Sequence, residues 1–300
     1  MQLCKNLFIF FANFDNFLLS AALKQQETMI KQINYTNPYN FAPMQAFDTR
    51  QFYFPEYYEP VRAPQKEENP VKTLGMAALL QGIAVFLNKA SKWCSYKLQQ
   101  GKEFTTAENV QKIAKEMVKK NNLDVKVGFV TPENAASYAA KYGGAAEFEA
   151  VAKGQNAFFS AGHKLAVAPK SKPSLILHEL GHAVNATKGK FMRFLQNSRG
   201  YAMAAPTALL LLSSMCPKKE GENQNFIQKN AGILGFAAYL PTIIEEGIAS
   251  LRGVKAARKV LGKTANLAPL KRNYLFALCT YILAGVGLGV AAKETIIRES

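Results

Sequence analysis

Histidine is scarce in this chain. Three occur in 300 residues, and two of them fall within five consecutive positions. Cysteine is also sparse: Cys4, Cys94, Cys216 and Cys279 stand far apart and form no C-x-x-C pair. That spacing excludes a zinc finger and argues against a disulfide-built secreted domain. Reduced thiols acting as small hydrophobes are expected instead. Aspartate vanishes after Asp124, and no acidic residue of either kind lies between His182 and Lys219. Negative charge is short overall, with 37 Lys and Arg against 21 Asp and Glu, a formal net charge of +16. A basic excess of this size fits nucleic acid, anionic lipid or positive-inside loops. There is no RNP-like aromatic strand either, so nucleic acid is not the expected partner.

What the chain does hold is His178-Glu179-Leu180-Gly181-His182, an H-E-x-x-H sequence. On a helix, side chains four apart leave from one face, which suits two corners of a tetrahedral Zn²⁺ site. Glu179 follows the first histidine and can take a proton from water activated by the metal. The flanks, Ser174–Leu177 and Ala183-Val184, give that helix apolar packing faces.

The surrounding chain reads as an α+β domain, mainly helical with a small sheet. Residues 1–70 form an N-terminal arm rich in proline and aromatics and expected to be irregular. A signal peptide and a short interfacial helix are both open for its first residues. Residues 71–100 read as a helix. Thr105 or Thr106 caps a second, with Val110, Ile113, Ala114 and Val118 at helical spacing. Leu123–Val130 reads as a strand, Pro132-Glu133 opens a helix that Gly143-Gly144 stops, and 156–160 and 164–168 are short β-like runs.

After the motif the chain turns apolar. Tyr201–Cys216 and Ala231–Ile244 are expected to form a hydrophobic hairpin, residues 201–244, that spans or re-enters the membrane, the alternative being a pair of soluble core helices. Tyr274–Ala292, nineteen uncharged residues, is expected to span it. The domain reading is an arm at 1–70, a metallopeptidase domain at 71–260 and a C-terminal membrane helix with its tail at 261–300.

A catalytic zinc site takes three protein ligands and leaves one position for water. The metzincin pattern needs a histidine at 188, where this chain has Lys188. A thermolysin-like spacing needs a glutamate about twenty residues past His182, inside the stretch with no acids. Glu220 and Glu222 sit in a polar loop beside glycine. Elimination leaves the pair Glu245-Glu246, brought back to the histidines if the hairpin goes out and returns.

H-E-x-x-H, a hydrophobic hairpin and then E-x-x-A at Glu246–Ala249 resembles the membrane gluzincins, the CAAX prenyl endopeptidases and bacterial heat-shock membrane endopeptidases. The resemblance covers roughly residues 105–260. It implies a zincin-like catalytic domain in which His178, His182 and Glu246 hold Zn²⁺ and Glu179 is the general base. The family has an aspartate supporting a ligand histidine where this chain has Ser250. Site-2 proteases share H-E-L-G-H-A but carry a later Asp-Gly, absent here, and peptide deformylases need an upstream cysteine ligand, also absent.

The expected activity is therefore that of a zinc-dependent, membrane-bound endopeptidase with peptide or protein substrates and lipid as partner. The alternative is a catalytically inactive membrane scaffold. Arg252, Lys255, Arg258, Lys259, Lys263, Lys271 and Arg272 follow the third ligand, so the positive-inside rule puts the catalytic side in the cytoplasm. Secondary candidates are Arg252, Tyr239 and Tyr201 as oxyanion donors, His163 as a surface or substrate-facing histidine, and the strand at Asn156–Phe158 as a substrate edge.

Overall fold

A computed structural model describes residues 70–218 and 221–299, so the expected N-terminal arm falls outside it but for Pro70. Helix α1 spans Pro70–Gln99 and α2 spans Ala107–Lys120. Thr106 caps α2 by accepting the Asn109 N–H at 3.3 Å. Glu108 in the first turn and Lys119 and Lys120 in the last complement the helix dipole. Val110, Ile113, Ala114 and Met117 are buried; Val118, expected on that face, only flanks it.

Three strands follow: β1 (Lys126–Val130), β2 (Phe158–Ser160) and β3 (Leu165–Pro169). The order is β1-β3-β2, with β3 parallel to β1 and antiparallel to β2. Every residue of β3 is buried. Alternation sends Leu165 and Val167 to one core with Val130, Phe148 and Val151. Ala166 and Ala168 face the other core, where their small size admits the next helix. Between β1 and β2 lie α3 (Ala135–Tyr142) and α4 (Ala145–Ala152). Gly143 and Gly144, at φ 75° and 73°, make the left-handed break between them. The sequence signalled that stop but not the second helix.

A single 3₁₀ turn, Pro173–Leu175, leads into the motif helix α5 (Ile176–Ala186). Ile176, Leu177, Leu180, Ala183 and Val184 of α5 form one core with α2, the β3 alanines, Ala257, Leu270 and Tyr274. Then come α6 (Lys190–Met203), α7 (Ala205–Met215), α8 (Phe226–Leu261) and α9 (Ala268–Glu299). The domain is thus mainly helical with one small sheet.

Two features differ from the expected hairpin. Its first limb begins inside α6 and continues as the separate helix α7, with Pro206 at the first turn of α7. Its second limb does not end at Ile244. It belongs to one 36-residue helix that starts at a capping box between Asn225 and Gln228 and runs on to Gly262, through Pro241. Glu245-Glu246 therefore lies inside a helix, not at its end. Helices α8 and α9 are each long and apolar enough to cross a membrane; α7, at 11 residues, is shorter. They pack through small residues. A Cβ on Gly289 would fall 2.5 Å from the Gly232 carbonyl oxygen, and one on Gly235 would fall 2.8 Å from the Ala292 methyl.

Candidate metal centre

The site forms where α5 crosses α8. The crossing is close because Gly181 faces the α8 backbone: a Cβ there would sit 2.3 Å from the Ala249 carbonyl oxygen. One turn further along α8, Gly253 lies just as bare against Leu177 and the Tyr274 hydroxyl. The glycine of the motif and the small residues after the glutamate pair thus solve one problem, the approach of two backbones.

That approach brings three donor atoms together. His178 Nε2 lies 3.0 Å from His182 Nε2 and 3.1 Å from Glu246 Oε2. His182 Nε2 lies 3.5 Å from the same oxygen. Ligand atoms of a tetrahedral zinc, at bonds of about 2.0–2.1 Å, stand about 3.3–3.4 Å apart, so the triangle has the size a metal needs. The imidazole planes are nearly perpendicular, at 89°. Glu246 and His178 are almost wholly buried, and His182 keeps 14% exposure.

Each ring is held from its other nitrogen. With Nε2 as the ligand atom the proton sits on Nδ1. His178 Nδ1 then donates to Ser250 Oγ at 3.0 Å, and His182 Nδ1 to Glu245 Oε1 at 2.9 Å. Glu245 also accepts from Asn185 Nδ2 at 2.8 Å, and Asn185 Oδ1 accepts from Arg252 Nε at 2.6 Å. Gln196 of α6 donates to the His182 carbonyl at 2.8 Å. Arg199, also on α6, donates from Nη2 to Glu246 Oε1, and its guanidinium lies over the Tyr281 ring at 5.1 Å from the centroid.

The electrostatics favour a cation. Glu179, Glu245 and Glu246 are exposed by only 2%, 4% and 2%. Among the described residues Arg199 is the one Lys or Arg in ion-pair contact with these three carboxyl groups, so the cluster holds more carboxyl groups than fixed cations, a surplus that a bound cation would offset. Burial alone would lower the pKa of His182, but the carboxylates of Glu245 and Glu246 outweigh it and hold it well above the ordinary value. Burial raises the Glu179 pKa despite both imidazoles. Glu179 Oε1 is buried without a hydrogen-bond partner, as expected of a carboxylate whose partner is a water or bound ligand. His178, His182 and Glu246 therefore form a buried group that could hold a metal ion.

No protein-family model, curated protein or solved structure matches this chain. The geometry has to speak for the site alone.

Of the secondary candidates, Arg252 braces Asn185 and through it Glu245, at the back of the His182 ring. Tyr239 is buried among Ala202, Ala205 and Tyr281, whereas Tyr201 is exposed. His163 stands at the surface with its ring edge-on to Tyr142, 5.7 Å between centroids. Glu222 of the polar loop pairs with Lys229 at 2.8 Å; Glu220 lies outside the described residues. Strand β2 pairs with β3 on one side and is one of the sheet's two edges, β1 being the other, among the described residues. Cys94 is buried, and Cys216 and Cys279 are partly so, all three free. The sequence reading did not find Arg199, Asn185 or Gln196. Asn185 had a signal, since it lies three residues past His182 on the same helix face. Nothing local to Arg199 or Gln196 marks them.

Proposed function

We propose that this protein is a zinc-dependent, membrane-bound endopeptidase with a zincin-like catalytic domain of the gluzincin type. The observation that carries the reading is the convergence of His178 Nε2, His182 Nε2 and Glu246 Oε2 near the buried Glu179, whose Oε1 has no hydrogen-bond partner. A zinc ion bound there supplies the Lewis acid that makes water nucleophilic and a carbonyl electrophilic near neutral pH. The remaining work falls to the chain. Ser250 and Glu245 fix both imidazoles with Nε2 forward. Glu179 takes the proton of the attacking water and returns it to the leaving amine, and its burial keeps bulk water from competing for that proton. The edge of β2, packed beside α5, offers a place for an extended peptide to add as a strand.

Membrane attachment rests on α8 and α9. The residues of α8 before Glu245 rise about 28 Å at 1.5 Å each, close to the hydrocarbon thickness. The metal group then emerges at the membrane surface, and the basic residues beyond it mark the cytoplasmic side. The test is Glu179→Gln in the full chain, with zinc content and peptide hydrolysis both measured. One zinc per chain and hydrolysis lost are expected. Cleavage at the parent rate would sink the proposal, and a parent protein that takes up no zinc would favour a scaffold.

A further inference from the structure

We propose that Arg199 is a positioning residue that restricts Glu246 to a single metal bond and so keeps one coordination position free for water. This inference rests on the metal reading above and adds to it the feature that separates a catalytic site from a closed structural one.

A carboxylate has two oxygens and can hold a metal with one or both. Oε2 of Glu246 is the oxygen facing the imidazoles, at 3.1 Å from His178 Nε2 and 3.5 Å from His182 Nε2. Its twin, Oε1, is bound by the Arg199 guanidinium. The two oxygens of one buried side chain thus have separate partners. Without Arg199, Oε1 would be a buried anionic oxygen with no counter-charge, and the nearest positive charge available to it would be the metal itself. A second bond there would be a fifth one, added beside the water and crowding the place that water needs.

Arginine suits the task for two reasons. It stays protonated at any working pH, so the restriction does not lapse. Its planar group is held from behind by the face of Tyr281, and that contact fixes where the guanidinium can stand. Arg199 sits on α6, whereas the three donor atoms sit on α5 and α8. A third helix therefore sets how the ligand of the second helix presents itself to the first.

The experiment uses the full chain in detergent, loaded with cobalt(II), whose visible bands are strong when four-coordinate and weaken when a fifth ligand joins. The parent protein and Arg199→Met, Arg199→Gln and Arg199→Lys are compared, each with its metal stoichiometry and its rate of peptide hydrolysis. The parent is expected to give the four-coordinate spectrum. In R199M one cobalt per chain should remain, the bands should weaken to the five-coordinate form, and hydrolysis should fall about 10- to 100-fold, the usual effect of losing a ligand's hydrogen-bond partner. R199K, which keeps a charged donor, should restore the four-coordinate bands. R199Q guards against a methionine variant that fails to fold, and its weaker neutral bond should give a mixture of the two spectra. An unchanged four-coordinate spectrum in R199M, or in R199Q if R199M unfolds, overturns the inference. So does a reduced cobalt content whose remaining bands, per bound cobalt, keep the four-coordinate intensity, which marks Arg199 as a structural support only. A parent protein that binds no cobalt defeats the metal reading itself, a result distinguishable from the other two.

Discussion

Each imidazole of the pair is oriented by a different kind of group. Behind His178 stands the neutral hydroxyl of Ser250, and behind His182 the carboxylate of Glu245. The gluzincin pattern expected from the sequence puts an aspartate at the Ser250 position, whereas the charged support here stands behind the other ring. A carboxylate on Nδ1–H raises the basicity of the ligand nitrogen more than a hydroxyl does. Glu245→Gln keeps the shape and removes the charge. Its zinc affinity, measured by competition with a coloured chelator, is expected to fall about 10- to 100-fold. Parent-like affinity would mean that Glu245 gives no electrostatic support. The residues of the His-His-Glu group were legible: two histidines at helical spacing, and a glutamate pair left by elimination. Arg199 was not, because it lies 47 residues from the oxygen it binds and on a helix with no motif of its own.

The crossing of α5 and α8 depends on Gly181, whose missing side chain lets the Ala249 carbonyl approach. Gly181→Ala puts a methyl against backbone rather than against a flexible side chain, so the helices must separate. Overpacking of this kind costs about 1–3 kcal/mol. A lower Tm together with weaker zinc binding is expected, since Glu246 moves with α8. A lower Tm with unchanged zinc affinity would separate the crossing from the site. Helix α8 also explains the main difference from the sequence reading. After Ile244 the composition turns from apolar to charged, and a helix end was expected there. Hydropathy reports what surrounds a helix, whereas its continuation depends on backbone hydrogen bonds, and past Ile244 no proline breaks them before Gly262. The start of α4 was missed for a related reason, because two short helices around Gly143-Gly144 read as one helix and a stop. The strands were legible because β-like runs alternated between turn residues, and their pairing order was not, because register depends on contacts between distant segments.

For the molecule as a whole, the metal group ties the sheet-bearing part of the chain to the helices proposed for the membrane. Zinc present at about a thousand times its Kd stabilises a one-site protein by about 4 kcal/mol. For a chain of this size that corresponds to a Tm higher by roughly 8–16 °C. Thermal unfolding in detergent with zinc and with a chelator is expected to differ by that order. Coincident curves would mean that no ion links the two parts. The long apolar run Tyr274–Ala292 was legible through its length and absence of charge, and α9 contains it entire.

Glu246 stands 64 residues after His182 in the chain. At ordinary synthesis rates of about 5–20 residues per second, Glu246 leaves the ribosome roughly 3–13 s after the histidine pair. During that interval α5 holds two imidazoles and a carboxylate but no complete ligand set, whatever metal is at hand. The centre closes only when α8 has formed and docked, and the apolar half of α8 precedes Glu246 in order of emergence. The proposed hydrolase, assembled in this order, would stay silent on its own nascent chain and on its neighbours until α8 has docked.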